Sequence, residues 1–210
     1  MEKKIFFSCL FVVMCFSIRT TAQTQFNFHK NKIVVLDPGH GGKDPGAIGI
    51  NGERESDTTL RLAKELLNLN NKVGYHEIYL TRYADTLISL GDRVALAETL
   101  KAELFISLHF NHSTSSTARG IEIFVSPGIH TAQRTSAILL AHRIHTSLAE
   151  TTGFFARGVK FKNFQVLKET IQEIPSILIE ICFLSNPDEA KFLRNEESLK
   201  RVAEIILYSI

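Results

Sequence analysis

Short apolar runs recur along the chain, each bounded by polar or turn-forming residues. Runs of this length are typical of strands that are buried in a sheet. They predict strands at residues 32–37, 77–81, 103–108, 120–126 and 175–183. The last run is interrupted by a single charge, Glu180, and a carboxylate at such a position is costly unless something nearby binds it.

Other segments place apolar residues three or four positions apart, which gives a helix one apolar face. One such helix is expected to be capped by Ser56 or Asp57 and to carry Leu60, Ala63 and Leu67 on that face. Further helices are predicted from Ser89, from Thr131 to about Glu150, from Pro187 and from about Glu196. Strands that alternate with such helices predict a single α/β domain, with a mixed, mostly parallel sheet and helices on both faces.

Two of these helix starts carry a strong local signal. Ser89 and Asp92 have the spacing of a capping box, in which the two side chains bond to each other's backbone N–H groups. Asn186 is a typical cap and Pro187 is suited to the first helical position. A carboxylate of the Asp188–Glu189 pair is expected to reach back toward Asn186.

The first 22 residues form a segment of a different kind. Lys3 and Lys4 precede an apolar run, residues 5–18, and Ala22 follows where a signal peptidase could cut. The run is too short to span a membrane permanently. We therefore expect a signal peptide at 1–22, a lead-in segment at 23–31 and a catalytic domain at 32–210 in an exported protein.

Removal of that segment changes the charge and the cysteine content. The whole chain has 24 basic and 22 acidic residues, and the first 22 residues include three of the basic and one of the acidic ones. The remaining chain therefore holds 21 of each and has no net charge. A nucleic-acid binder needs a basic face, so this balance argues against that class. Cys9 and Cys15 leave as well, and Cys182 alone cannot form an internal disulfide.

Candidate chemistry concentrates at the ends of the predicted strands. The loop at 38–52 holds six glycines and two prolines, and loops of this length are usually functional. His40 follows the first strand, His109 ends the third, and Glu180 lies near the end of the last. Ligands of open α/β sheets gather at these carboxyl ends. Two histidines and a carboxylate form a known catalytic zinc set, which would leave Glu180 as an acid or base.

Each of these residues also has a simpler interpretation. Glu180 could be half of a buried ion pair, and a lone histidine near a strand end is often structural. Spacing alone does not separate Glu53 from Glu55 as the carboxylate ligand, because both lie where the glycine-rich loop ends. His142 and His145 are expected on the surface of their helix, and His112 is expected in a solvated loop, where it could assist the site.

Five segments occur in an order that is typical of one enzyme family. They are VVLDPGHGGKDPGA at 34–47, ESD at 55–57, LTR at 80–82, SLHFN at 107–111 and PSILIEICFLSN at 175–186. Together they resemble the zinc-dependent N-acetylmuramoyl-L-alanine amidases of the type that separates daughter cells. The resemblance runs from about residue 32 to residue 195 or beyond.

The resemblance implies hydrolysis of the amide bond between the lactyl group of N-acetylmuramic acid and L-alanine in peptidoglycan. It implies Zn²⁺ bound by His40, Glu55 and His109, with Glu180 as the catalytic carboxylate, in the periplasm or cell envelope. A zinc peptidase acting on stem peptides and a peptidoglycan-binding module without catalysis are the alternatives.

Some family members carry a helical insert after the second histidine ligand, which plugs the site until an activator removes it. Residues 120–131 are too few to hold this insert, so we expect that no activator is required.

Overall fold

The computed structural model describes residues 31–128 and 130–210. The expected signal peptide at 1–22, with Cys9 and Cys15, and nearly all of the lead-in segment lie outside the described residues. The strands are β1 (Ile33–Pro38), β2 (Glu77–Leu80), β3 (Leu104–Asn111), β4 (Ile121–Val125), β5 (Ala156–Phe161) and β6 (Ser176–Phe183). The helices are α1 (Glu55–Val73), α2 (Leu90–Thr99), α3 (Ala132–Thr152), α4 (Gln165–Thr170), α5 (Pro187–Arg194) and α6 (Glu196–Ser209).

The strands form one mixed sheet in the order β2-β1-β3-β6-β4-β5. Strand β1 is parallel to β2 and β3, β3 is parallel to β6, and β5 is parallel to β4. Only the β4–β6 pair is antiparallel among the described strands. The predicted single α/β domain with a mostly parallel sheet is therefore confirmed, and β1, β3 and β6 end at the same edge.

Helices cover both faces of the sheet, as the alternation of elements predicted. On one face, α1, α3, α5 and α6 contribute to the larger apolar core, which includes the alternate β6 residues Ile177, Ile179 and Ile181. On the other face, α2 and α4 pack over a smaller core that includes Phe105 and Leu178. Parallel strands that are covered on both sides are apolar almost throughout, which explains the short runs in the sequence.

Several local predictions need correction. Helix α1 begins at Glu55 after Arg54, so neither Ser56 nor Asp57 is its cap, and Arg54 makes no side-chain capping bond. Loop contacts replace the cap, since the N–H of Glu55 donates to the carbonyl of Ala47 (2.8 Å). The buried face of α1 also differs from the predicted one, because Leu60 and Leu67 are only half-buried. The fully buried positions are Leu62, Ala63 and Leu66.

The two capping signals have different outcomes. Ser89 caps α2 as predicted, because its Oγ atom accepts from the N–H of Asp92, but the Asp92 carboxylate accepts from the Ser89 hydroxyl and not from the Ser89 N–H of a full capping box. Asn186 caps α5, but Glu189 does not reach back to it. The buried Glu189 carboxylate instead accepts from the N–H groups of Gly120 and Phe183, both at 2.8 Å, and so joins β4 to the end of β6.

Other features were absent from the sequence prediction or differ from it. Edge strand β5 and helix α4 were not predicted, because β5 is half-exposed with few apolar residues and α4 has only six residues. His145 is buried rather than on the surface, and its Nε2 atom accepts from the N–H of Gly158 at 2.9 Å. Within the described part of the chain, no helix has both the length and the apolar character needed to cross a membrane.

Candidate metal centre

The carboxyl ends of three adjacent strands bring the predicted residues together. His40 lies two positions after the end of β1, beside β3. His109 on β3 and Glu180 on β6 are paired directly in the sheet register. Parallel neighbours place equivalent positions side by side, so residues about 70 positions apart in sequence meet at one edge.

Glu55 returns to the same edge because the glycine-rich loop folds back on itself. An isolated bridge joins Ile48 to Arg54, and the N–H of Ser56 donates to the carbonyl of Pro45 at 3.0 Å. The Glu55 carboxylate accepts from the N–H of Ala47 (2.8 Å) and from the N–H of Phe110 (3.0 Å). Two backbone donors therefore fix the carboxylate between the loop and β3.

His40, Glu55 and His109 form a compact set of potential metal ligands. Their donor atoms all lie within 4.8 Å of one another. His40 Nε2 is 3.1 Å from Glu55 Oε2, and His109 Nδ1 is 3.0 Å from Glu55 Oε1. Tetrahedral zinc bonds of about 2.1 Å separate neighbouring ligand atoms by roughly 3.4 Å, so the set fits Zn²⁺ with little movement.

The same set attracts positive charge. Burial opposes the charged form of His40, but hydrogen bonds to Glu55 and Asp44 and their negative charges outweigh it and raise its pKa to about 9. Burial also disfavours the charged form of Glu55, but hydrogen bonds from His109 and His40 hold its pKa well below the ordinary value. A carboxylate that stays ionised between two imidazoles is suited to a divalent cation.

Asp44 orients the first histidine. Its Oδ2 atom is 2.8 Å from His40 Nδ1, and its Oδ1 atom accepts from the N–H of Gly46 at 3.0 Å. A carboxylate that accepts from one imidazole nitrogen leaves the other nitrogen free to bind a metal, and such partners are common behind metal ligands. Asp44 lies four positions after His40 in the same loop, and no pattern in the sequence distinguishes it from the other polar residues there.

Glu180 lies beside this set without a partner of its own. Its Oε2 atom is buried and makes no hydrogen bond, and none of the ion pairs among the described residues includes it. Burial raises the pKa of Glu180 to about 7; the charge of His109 acts against this rise, while the charges of Glu55 and Glu122 add to it. The ion-pair interpretation of Glu180 is therefore wrong for the part of the chain that the structure describes.

The ion pair lies instead on the neighbouring strand. Glu122 on β4 is opposite Glu180 in the antiparallel register. Its carboxylate contacts Arg157 and, at 3.2 Å, Lys160 of β5. Among the described residues, the two strands thus carry a buried, paired glutamate beside a half-buried, unpaired one.

Glu53 lies away from the ligand set. Its carboxylate pairs with Arg194 of α5 at 3.6 Å. His112 is exposed at the margin of the site, as expected of a loop residue. The structure therefore groups Glu55, and not Glu53, with the two histidines.

A cavity of about 790 Å³ opens over the ligand set. Glu180 and His112 line it together with the ligands, and the starts of α2 and α4 form its walls. Phe110 also contributes to the lining, although its ring is almost wholly buried in the larger core. The cavity is large enough for part of a polymeric substrate.

The chain resembles known proteins over nearly all of its described length. A family model for N-acetylmuramoyl-L-alanine amidase matches residues 34–210. The N-acetylmuramoyl-L-alanine amidase LytC of Bacillus subtilis is 36% identical over 173 residues, which cover 82% of this chain and 34% of LytC. The solved catalytic domain of the amidase CwlV from Bacillus (Paenibacillus) polymyxa is 36% identical with a TM-score of 0.76, covering 85% of this chain and 95% of that one.

A second curated relative differs in length within the matched region. The N-acetylmuramoyl-L-alanine amidase AmiC of Escherichia coli is 34% identical over 218 positions, covering 85% of this chain and 52% of AmiC. About 178 residues of this chain, 85% of 210, are matched. About 40 of the 218 aligned positions therefore hold a residue in AmiC and none in this chain. The chain spans about half or less of the length of these curated relatives.

Proposed function

Because this chain belongs to the N-acetylmuramoyl-L-alanine amidase family, we propose that it hydrolyses the amide bond between the lactyl group of N-acetylmuramic acid and L-alanine in peptidoglycan. One observation carries the proposal. The half-buried carboxylate of Glu180, whose Oε2 atom is buried and makes no hydrogen bond, lies one strand away from a three-residue cation site in an open cavity. Metal-assisted amide hydrolysis uses both parts.

His40, Glu55 and His109 would hold the ion, at about one Zn²⁺ per chain. When bound, Zn²⁺ supplies Lewis acidity, which lowers the pKa of water to about 7 and stabilises negative charge on an oxygen. Asp44 keeps the His40 ring in the orientation that frees its Nε2 atom. The N–H groups of Ala47 and Phe110 hold the Glu55 carboxylate in place between the histidines.

Glu180 would carry the proton. It accepts a proton from the water that attacks the lactyl carbonyl carbon and donates one to the nitrogen of L-alanine as the C–N bond breaks. In the metal-free protein, burial raises the pKa of Glu180 to about 7, away from the range of an ordinary carboxyl group and toward that of a general acid or base at neutral pH. The products are a free lactyl carboxylate on the glycan and a stem peptide with a free amino terminus.

Mass spectrometry of digested peptidoglycan tests the proposal. Intact sacculi treated with the purified protein should release stem peptides that begin with L-alanine, and a chelator should stop the release. Preferred cleavage within free stem peptides would indicate the zinc peptidase. Binding to sacculi without any release would indicate the non-catalytic module.

We propose that position 39 must be glycine because the ring of His109 lies directly against it. A Cβ atom at Gly39 would lie 2.2 Å from His109 Cε1 and 2.5 Å from His109 Nε2, so the imidazole would have to move. Gly39→Ala is expected to weaken zinc binding at least about tenfold, since ligand geometry sets metal affinity. Competition with a chromophoric chelator measures this affinity.

Gly91→Ala is the matched control for this substitution. A Cβ at Gly91 meets nothing within 4 Å, and alanine is favoured over glycine in a helix such as α2 by about 1 kcal/mol. The Gly91 variant should therefore bind zinc normally and melt no earlier than the unsubstituted protein. Equal zinc affinity in the Gly39 and Gly91 variants would show that the close approach is unimportant.

Residues 1–22 are proposed as a signal peptide that directs the protein to the periplasm or cell envelope, where peptidoglycan lies. The apolar run behind Lys3 and Lys4 supports this. Residues 32–210 are proposed as the catalytic domain, with peptidoglycan as its substrate. Amino-terminal sequencing of the exported protein locates the cut, for which Ala22 is the expected last residue.

We expect activity without an activator. Strand β4 ends at Val125 and α3 begins at Ala132, so little chain is present between them to cover the cavity. The purified domain alone should release stem peptides from sacculi at a measurable rate. Release that begins only after envelope extract is added would contradict this expectation.

A further inference from the structure

His40 has a backbone conformation that its side chain disfavours. Its φ angle is 62°, in the left-handed region that residues other than glycine rarely adopt. Gly41 and Gly42 follow with φ angles of 127° and 58°, so the chain turns sharply directly after β1. This turn directs the His40 ring toward Glu55, and something must hold it against relaxation.

Two buried arginines bind the carbonyl groups of this turn. Arg82 donates from Nε to the carbonyl of Pro38 and from Nη2 to that of Gly39, both at 2.9 Å. Arg93 donates from Nη1 to the carbonyl of Pro38 (2.9 Å) and from Nη2 to that of His40 (2.8 Å). All three consecutive carbonyls therefore accept from a guanidinium group.

Arg82 also connects the turn to helix α1. Arg82 Nη2 also donates to the carbonyl of Ser56 at 2.7 Å and to Thr59 Oγ1 at 3.1 Å, in the first turns of α1. This is the helix that Glu55 begins. Arg82 thus joins the backbone beside one proposed ligand to the helix that carries another.

Arg93 connects the turn to the sheet beneath it. Its Nη1 atom donates to Asp37 Oδ1, and the other Asp37 oxygen accepts from Ser107 Oγ on β3 at 2.8 Å. Arg82 and Arg93 are 3% and 2% exposed. Burying a guanidinium group is costly, and several well-directed hydrogen bonds are needed to offset the lost hydration.

We propose that Arg82 and Arg93 are positioning residues, which hold His40 and Glu55 at metal-binding separation before the ion arrives. The planar guanidinium fork spreads five N–H donors over three nitrogens, whereas the three donors of a lysine ammonium group start from one nitrogen and cannot span the same set of separated carbonyls. The inference rests on the proposed metal role of His40 and Glu55. Beyond that role, the affinity of the site for the metal ion would depend on two residues that do not contact the ion.

Lysine substitutions test this. Arg82→Lys and Arg93→Lys keep the charge but lose the fork, and each is expected to weaken zinc binding about tenfold or more. Arg143→Lys makes the same chemical change at an exposed residue of α3 that donates to the carbonyl of Ser209 on α6, and it serves as the control for that change. Zinc dissociation constants are measured on metal-free protein by competition with a chromophoric chelator, well below each variant's melting temperature.

The comparison of affinity with stability separates positioning from a merely structural role. Folded Arg82 and Arg93 variants that bind zinc as tightly as the Arg143 variant would overturn the inference. Should either lysine variant fail to fold, Thr59→Val decides, since it removes the hydroxyl that accepts from Arg82 and donates to the carbonyl of Gly39 at 3.0 Å. Thr170→Val is its control, because Thr170 is also a buried helical threonine but bonds within α4 and not to the turn. The Thr59 variant should bind zinc severalfold more weakly than the Thr170 variant, and equal affinities would overturn the inference.

Failure of this inference and failure of the proposed function give different results. If the unsubstituted protein binds no zinc and releases no stem peptide, the proposed function fails. If the unsubstituted protein binds zinc and releases stem peptides while all the variants bind zinc equally well, only the positioning role fails.

Discussion

Glu180→Gln is expected to lower the rate of stem-peptide release at least about a hundredfold while the fold and the zinc content remain unchanged. The amide has nearly the same shape as the carboxyl group and can hydrogen-bond, but it cannot carry a proton from water to the departing amine. The Glu180 carboxylate has no ion-pair partner among the described residues, so its removal strands no buried charge. Turnover, zinc analysis and thermal melting of the variant are measured together.

The pH dependence of stability gives an independent check on metal-free protein. The pKa of Glu180 is raised from an ordinary 4.5 to about 7, so the folded protein binds this proton more tightly than the unfolded chain does. Ionising the carboxyl group therefore costs stability, beginning near pH 4.5 and reaching its full extent above pH 7. Glu180→Gln removes this cost, of up to about 3 kcal/mol, and should melt later than the unsubstituted protein at pH 8 but not at pH 4.

Glu122→Gln is the matched control on the adjacent strand. Its buried carboxylate contacts the half-buried Arg157 and Lys160, so the amide would remove the charge that these two cations pair with. That variant should therefore melt earlier than the unsubstituted protein and yet bind zinc. A Glu180 variant that melts early, like the Glu122 variant, and turns over normally per folded molecule would remove Glu180 from the mechanism.

Glu55→Ala and His109→Ala are each expected to abolish stoichiometric zinc binding and, with it, activity. Either change removes one of three ligands, and the Glu55 change also leaves the N–H groups of Ala47 and Phe110 without their acceptor. A zinc site with two protein ligands is far weaker than one with three. Zinc per chain is measured by elemental analysis after gel filtration.

Glu53→Ala is the control, because it makes the same chemical change two positions away. Its carboxylate pairs with Arg194 outside the ligand set, so zinc content and turnover should remain near those of the unsubstituted protein. Loss of zinc from the Glu53 variant combined with retention by the Glu55 variant would show that the choice of ligand is wrong.

Much of the fold could be predicted because the local pattern of the sequence is strong. Strands β1, β3 and β6 are buried on both sides and are apolar almost throughout, so each stands out as a run. Edge strand β5 lacks that pattern, since its residues are half-exposed and Gly158 interrupts it with a φ angle of 92°. A strand that is stabilised mainly by backbone pairing with one neighbour does not need the apolar run from which a strand is predicted.

The candidate site was predictable for a related reason. His40, His109 and Glu180 follow or end apolar runs, where polar side chains are unusual, and the sequence motifs identified Glu55. The sequence by itself therefore determined the family, the fold class and the residues proposed to act on the substrate. It did not determine whether Glu180 has an ion-pair partner, because that depends on how β4, β5 and β6 are arranged in the sheet, and β5 was not predicted.

The tertiary structure alone decided what supports those residues. Arg82 and Arg93 lie more than 40 positions from the carbonyl groups of residues 38–40 that they bind, and the buried His145 accepts from a backbone N–H 13 positions away. No spacing rule connects such positions, because a long side chain can reach any carbonyl that folding brings near it. Apolar periodicity reports which side of an element is buried, whereas the partner of a buried polar group depends on how separate elements pack together.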